Sequence, residues 1–149
     1  MKDMTRRDAL SLAVGMAAVA AFPMPTMAAE NAMAEIEQFT GGAEAAMSGR
    51  VTLEMPEIAE NGNTVPLKVS VDSPMTSEDY VKRVIIVSMG NPRPGVATFR
   101  FSPMNGVAEA STRMRLAKTQ DVAAVAELSD GSFHMTKTTV KVTIGGCGG

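Results

Sequence analysis

The stretch Asp121-Val-Ala-Ala-Val-Ala-Glu-Leu-Ser-Asp-Gly-Ser-Phe-His-Met-Thr-Lys-Thr-Thr-Val-Lys-Val-Thr-Ile144 decides the fold. Its first eight residues are rich in alanine and suit a helix by intrinsic propensity. Ser129-Asp-Gly131, however, is hairpin-turn chemistry, and the run from Phe133 to Ile144 is dense in Thr, Val and Ile, which favour a pleated strand. A hairpin turn needs a strand on either side. Asp121 to Leu128 is therefore expected as a strand, and the chain as all-β.

The same period-two logic extends upstream. Ala110 to Lys118 alternates, which places Ser111, Arg113 and Arg115 on one face and Thr112, Met114 and Leu116 on the other. Val96 to Phe101 reads as a strand broken by Pro103-Met-Asn-Gly106. It comes after Gly90-Asn-Pro-Arg-Pro-Gly95, a rigid loop whose two prolines cannot continue a ladder. Val81 to Met89 is a continuous β-branched run, suited to a strand buried on both faces. Arg50 to Met55 and Val65 to Val71 alternate, with Glu60-Asn-Gly-Asn63 between them as a turn in which Asn-Gly readily takes positive φ. Only Glu30 to Phe39 is helical in pattern, with Met33, Ile36 and Phe39 on one face and Gly41-Gly42 as the stop. The tally is about seven short strands with turn signals roughly every 8 to 12 residues. That predicts an immunoglobulin-like β-sandwich with a short N-terminal helix.

Composition narrows the chemistry. The chain has 149 residues, enough for one domain, with a formal charge of -2, one His, one Cys and no Trp. One His and one Cys cannot build a His/Cys metal site or an internal disulfide. The mildly acidic balance lacks the clustered basic face that nucleic acid requires. Hydrophobic residues make up 45% but aromatics only 4%, so the core must be aliphatic with Met as filler.

Met1 to Ala29 has a basic start, an apolar run from Leu10 to Phe22 and small residues after Pro25, the grammar of an export signal. The run is too short to span a membrane, which takes about 20 residues. Arg6 and Arg7 read as a twin-arginine signal to the bacterial periplasm. Cleavage is expected after Ala28, or as late as Ala34. The organisation is then a signal peptide over 1–28, a sandwich over 35–144 and a C-terminal segment over 145–149. Twin-arginine export carries folded proteins; with no cofactor motif in the chain, a folded partner travelling with it is the simpler reason.

The last strand runs directly into Gly145-Gly-Cys-Gly-Gly149. Four glycines leave the only thiol unshielded, and the three positions after Ile144 would carry Cys147 roughly 10 Å from the sheet. The expectation is a flexible arm, Gly145, Gly146, Gly148 and Gly149, that delivers Cys147 into the narrow clefts of other proteins. A free cysteine titrates near 8.5, leaving about a few per cent thiolate at neutral pH. The carboxylate of Gly149 disfavours the thiolate further, so activation is expected inside each partner's active site.

These residues resemble a known family. Val140-Lys-Val-Thr-Ile-Gly-Gly-Cys-Gly-Gly149 is similar to the carrier arm of SoxY, the sulfur-carrying subunit of the periplasmic thiosulfate-oxidising Sox system. The resemblance continues through residues 56–66, 90–99, 111–121 and 128–131. It implies a non-catalytic carrier without a cofactor of its own, with Cys147 as the covalent attachment point. The haem enzyme SoxAX would join thiosulfate to Cys147 as a cysteine S-thiosulfonate. SoxB would hydrolyse off sulfate, and SoxCD, in systems that have it, would oxidise the remaining sulfane sulfur. SoxZ would be the constant partner, forming the SoxYZ heterodimer and being exported with this chain.

Other residues carry weaker suggestions. Arg113 and Arg115 are candidates for docking partners or steering an anionic adduct, against the plainer reading of a solvated strand face. The Gly90 to Gly95 loop fits a partner contact or a simple rigid turn. His134 has no candidate partner for acid-base work and reads as structural or exposed. The rival functions are a periplasmic copper-handling protein, motivated by 13 Met and a soft thiol, and a purely structural sandwich subunit. Five of those methionines (Met1, Met4, Met16, Met24 and Met27) fall in the expected signal, which weakens the first, and the second leaves the glycine-flanked thiol unexplained.

Overall fold

A computed structural model describes residues 26–146. The twin arginines and the apolar run of the expected signal, and at the other end Cys147, Gly148 and Gly149, lie outside the described residues.

One helix, α1 (Met27–Thr40), precedes nine strands: β1 (Ala45–Met47), β2 (Val51–Glu54), β3 (Ile58–Asn61), β4 (Val65–Val71), β5 (Val81–Ser88), β6 (Gly95–Arg100), β7 (Ala108–Met114), β8 (Gln120–Leu128) and β9 (Phe133–Ile144). They form two sheets. The larger has the order β1-β9-β8-β5-β6, with β3 also on β9, and the smaller is β2-β4-β7. The β-sandwich with a short N-terminal helix is therefore as expected, and the alanine-rich β8 is a strand paired antiparallel to both β5 and β9.

Layering explains why β5 and β8 read as continuous apolar runs. Val84, Ile86, Val122, Ala124 and Ala126 point into the core shared with Val51, Leu53, Leu67, Val69 and Met114 of the smaller sheet. The alternate residues Ile85, Val87, Ala123 and Val125 face outward and are covered by Ala32, Ile36 and Phe39 of α1. Both faces are thus dry, and a strand with no wet face has no polar alternation to show. Each fully buried Val, Leu or Ile contributes about 1.5–3 kcal/mol.

The helix is capped at both ends. The Thr26 hydroxyl accepts from the Ala29 amide, and Gly41 closes it in the left-handed conformation at φ 65°. Its last turn is pinned by Arg83, whose guanidinium lies 4.3 Å from the centre of the Phe39 ring, donates to the Phe39 carbonyl at 3.1 Å and pairs with Glu127.

Several expectations are corrected. The strands number nine among the described residues, not about seven, because β1 and β3 were not foreseen. Both pair parallel to β9 on the edge that β8 leaves open, β1 against its start and β3 against its end. The expected turn Glu60 to Asn63 is half strand, and Gly62 does not lie at positive φ. Strand β7 ends at Met114, four residues before Lys118, although the burial alternation runs on through Leu116. The helix begins at Met27, not Glu30, so both expected cleavage points fall inside it.

The root of the arm as a candidate functional site

Strand β9 ends at Ile144, and the two glycines after it are tied down. The Ile144 carbonyl accepts from the Gly62 amide at 2.7 Å, the Gly62 carbonyl accepts from Leu116 at 2.8 Å, and the Leu116 carbonyl accepts from Gly146 at 2.8 Å. Three backbone hydrogen bonds thus join three distant segments, and Gly146 is buried among them. The expectation of an arm swinging from Gly145 is corrected for its first two residues, which are seated on the sandwich.

Glycine is needed here for space. A methyl group on Gly145 would strike the Ala117 carbonyl oxygen, and one on Gly146 would lie 2.5 Å from the Gly62 oxygen and 2.8 Å from its carbonyl carbon. A methyl group on Gly62 would strike the Leu116 oxygen and come within 2.6 Å of the Gly146 nitrogen. None of these three has a left-handed φ. Close approach of backbone to backbone is what these positions demand.

The wall opposite Gly146 is held from behind. Asn91, 2% exposed, donates from Nδ2 to the Arg115 carbonyl at 2.8 Å. Its Oδ1 accepts from the Ala117 amide at 3.0 Å and from Nε2 of Gln120 at 2.8 Å. Gln120 also donates to the Lys118 carbonyl and accepts from the Gly90 amide, at 3.1 and 2.7 Å. Both amides are buried, and each of their side-chain nitrogens and oxygens has a hydrogen-bond partner, which offsets the desolvation cost. Beside them the Thr119 hydroxyl accepts from the Val142 amide at 2.9 Å.

Of the residues singled out in the sequence, Gly145 and Gly146 form this root, and Cys147, Gly148 and Gly149 lie outside the described residues. Arg113 and Arg115 are exposed on the face expected; Arg113 donates to the Thr64 hydroxyl at 3.3 Å, and Arg115 directly precedes Leu116. Neither forms an ion pair among the described residues. His134 is half-buried, 3.2 Å from the Ser132 hydroxyl, with Nδ1 buried and without a hydrogen-bond partner among the described residues. Ser132 in turn donates to Asp130, and that bond, with the Ser132 amide, holds the Asp130 carboxyl below its ordinary range. The described residues contain no group of three or more His, Cys, Asp or Glu placed to hold a metal ion. No helix among them is long and apolar enough to cross a membrane.

Sequence reasoning missed Gly62, Asn91 and Gln120. Gly62 was legible as turn chemistry but not as a packing position, and Asn91 was visible only as part of a proline-rich loop.

The family model described as sulfur oxidation protein SoxY matches residues 36–147. The chain belongs to the SoxY family. The matched span of SoxY takes in the sandwich, the seated root and Cys147 as its final position. Among solved structures, the sulfur carrier protein SoxY from Chlorobium limicola f thiosulfatophilum is 30% identical, with 77% of this chain and 94% of that chain covered at a TM-score of 0.66. Two proteins described as superoxide reductases share the fold alone. The one from Ignicoccus hospitalis is 16% identical over 62% of this chain and 79% of its own, at a TM-score of 0.56. A putative one from Thermotoga maritima is 16% identical over 70% and 89%, at 0.53. No curated protein matches the chain.

Proposed function

We propose that this SoxY-family chain is a sulfur carrier in periplasmic thiosulfate oxidation, with Cys147 as the covalent attachment point. One observation carries the reading: the only thiol in 149 residues stands immediately after Gly146, which is hydrogen-bonded to the sandwich, and the family match ends on it.

The chemistry asks little of the carrier beyond an accessible sulfur. Loading joins the Cys147 sulfur to the outer sulfur of thiosulfate, with loss of the thiol proton and two electrons, giving the S-thiosulfonate. A haem enzyme of the SoxAX kind accepts those electrons. Hydrolysis by a SoxB-type enzyme then adds water across the terminal bond, releasing sulfate and a proton and leaving a persulfide on Cys147. A SoxCD-type dehydrogenase, where present, takes six electrons from that sulfane sulfur while water supplies three oxygens and protons are released, leaving an S-sulfonate; a second hydrolysis then releases sulfate and frees the thiol. This chain binds and presents; catalysis belongs to the partners, and SoxZ is the constant subunit of the carrier complex.

Export by the twin-arginine route rests on Arg6 and Arg7. Cleavage after Ala28 is favoured over Ala34, because the later cut would remove Ala32, which is fully buried between α1 and the sheet.

Intact-mass measurement tests the proposal. With thiosulfate and the partner enzymes, the chain gains reductant-labile additions that map to Cys147 and disappear in Cys147→Ser. Bound copper in place of an adduct, or the same additions in the serine variant, would overturn it.

A further inference from the structure

Asn91 and Gly62 are not explained by the carrier chemistry. Asn91 is a buried amide whose side-chain hydrogen bonds go to the backbone of residues 115–117 and to Gln120, all outside its own loop. A buried network of this kind selects one arrangement of the segment it binds. That segment presents the Leu116 carbonyl outward, and the group it receives is the amide of Gly146. From the other side Gly62 closes the seat, donating to Ile144, accepting from Leu116, and lacking the methyl group that would push Gly146 away.

We propose that Asn91 and Gly62 are positioning residues for the carrier thiol: through the backbone of Leu116 they hold Gly146 in place, so that Cys147 leaves the sandwich from a fixed point. The inference rests on Cys147 being the attachment site. It gives the Gly90 to Gly95 loop, through Asn91, a role as a brace beyond that of a plain turn. It also shortens the reach. The Cα of Cys147 lies about 3.8 Å from that of Gly146, where an arm free from Ile144 would extend roughly 10 Å. A partner enzyme must then meet the rim formed by residues 61–63 and 115–118, and the fixed exit sets how the thiol enters its cleft.

Amide hydrogen exchange on the unaltered full chain is the first test. The Gly146 amide should exchange at least about 100-fold more slowly than in an unstructured peptide; exchange at the peptide rate overturns the proposal whatever any variant does. Next, a nitroxide on Cys147 should give a broadened, restricted spectrum that narrows in Gly62→Ala and in Asn91→Ala. Gly49→Ala, where a methyl group meets nothing within 4 Å, serves as control. Having both variants guards against one failing to fold, and unchanged spectra in folded variants sink the idea. Finally, thiosulfate loading by the partner oxidase should show KM for the Gly62→Ala carrier raised by about tenfold or more, while alkylation by iodoacetamide, which needs no docking, stays within about twofold. Equal KM for variant and unaltered carrier contradicts positioning. Failure of the unaltered carrier to load contradicts the carrier reading itself, with the Gly146 exchange rate still reporting on the clasp.

Discussion

Strand β9 is flanked by glycine on both sides, and the two sides do opposite jobs. At the hairpin end, Gly131 sits at φ 83° with open space where a side chain would go. At the arm end, Gly145 and Gly146 have no left-handed φ but no room, with the carbonyls of Ala117 and Gly62 where a methyl group would lie. The first is a demand on conformation and the second a demand on volume. Both look alike in a sequence, and only the second ties the terminal segment to the body of the protein.

Substitution can break this contrast. The largest effect is expected for Gly145→Ala, because the obstructing atoms are backbone and cannot rotate away; overpacking of this kind costs about 1–3 kcal/mol. Asparagine should fare no better there. Thermal unfolding would measure the loss, and a stability unchanged within error would show that the seat yields. Next comes Gly131→Ala, with a left-handed penalty of about 1–2 kcal/mol and no steric conflict. Gly131→Asn should recover most of that loss, since asparagine tolerates the left-handed region. Equal damage from Ala and Asn at Gly131, or rescue by Asn at Gly145, would erase the distinction.

The smallest effect concerns the hairpin's acid. Asp130 is held below its ordinary pKa chiefly by the Ser132 hydroxyl, so its bond stabilises the folded chain above the unfolded value and is lost as pH falls through the folded one. Ser132→Ala should therefore lower Tm slightly near about pH 6, with the gap to the unaltered protein closing toward about pH 2. A gap that widens on acidification would reverse the sign and discredit the assignment.

The range over which each feature is specified decides how much of it was legible. Strand β8 was readable despite its alanines because Ser129-Asp-Gly131 lies next to it and a hairpin turn constrains both flanks. Strands β1 and β3 were not, since in Ala45-Ala-Met47 and Ile58-Ala-Glu-Asn61 only Ile58 favours a strand, and both segments pair with β9 on its open edge. The isolated thiol announced itself through its glycine neighbours. The need for glycine at position 62 did not, because it depends on Gly146 and Leu116 passing alongside, which local sequence cannot state.

The parallel pairing of β9 has a consequence for how the molecule is made. Strand β9 follows every other described strand along the chain, yet β1 and β3, which it joins, are among the first. Such distant pairings close slowly and late, after the entropy of a long loop has been overcome. Synthesis that stops short of β9 leaves three strand edges unpaired, an invitation to proteases and to aggregation. The sheet is therefore completed by the same segment that leads to the thiol, and a nascent chain without its cysteine end is also one that quality control can recognise as unfinished.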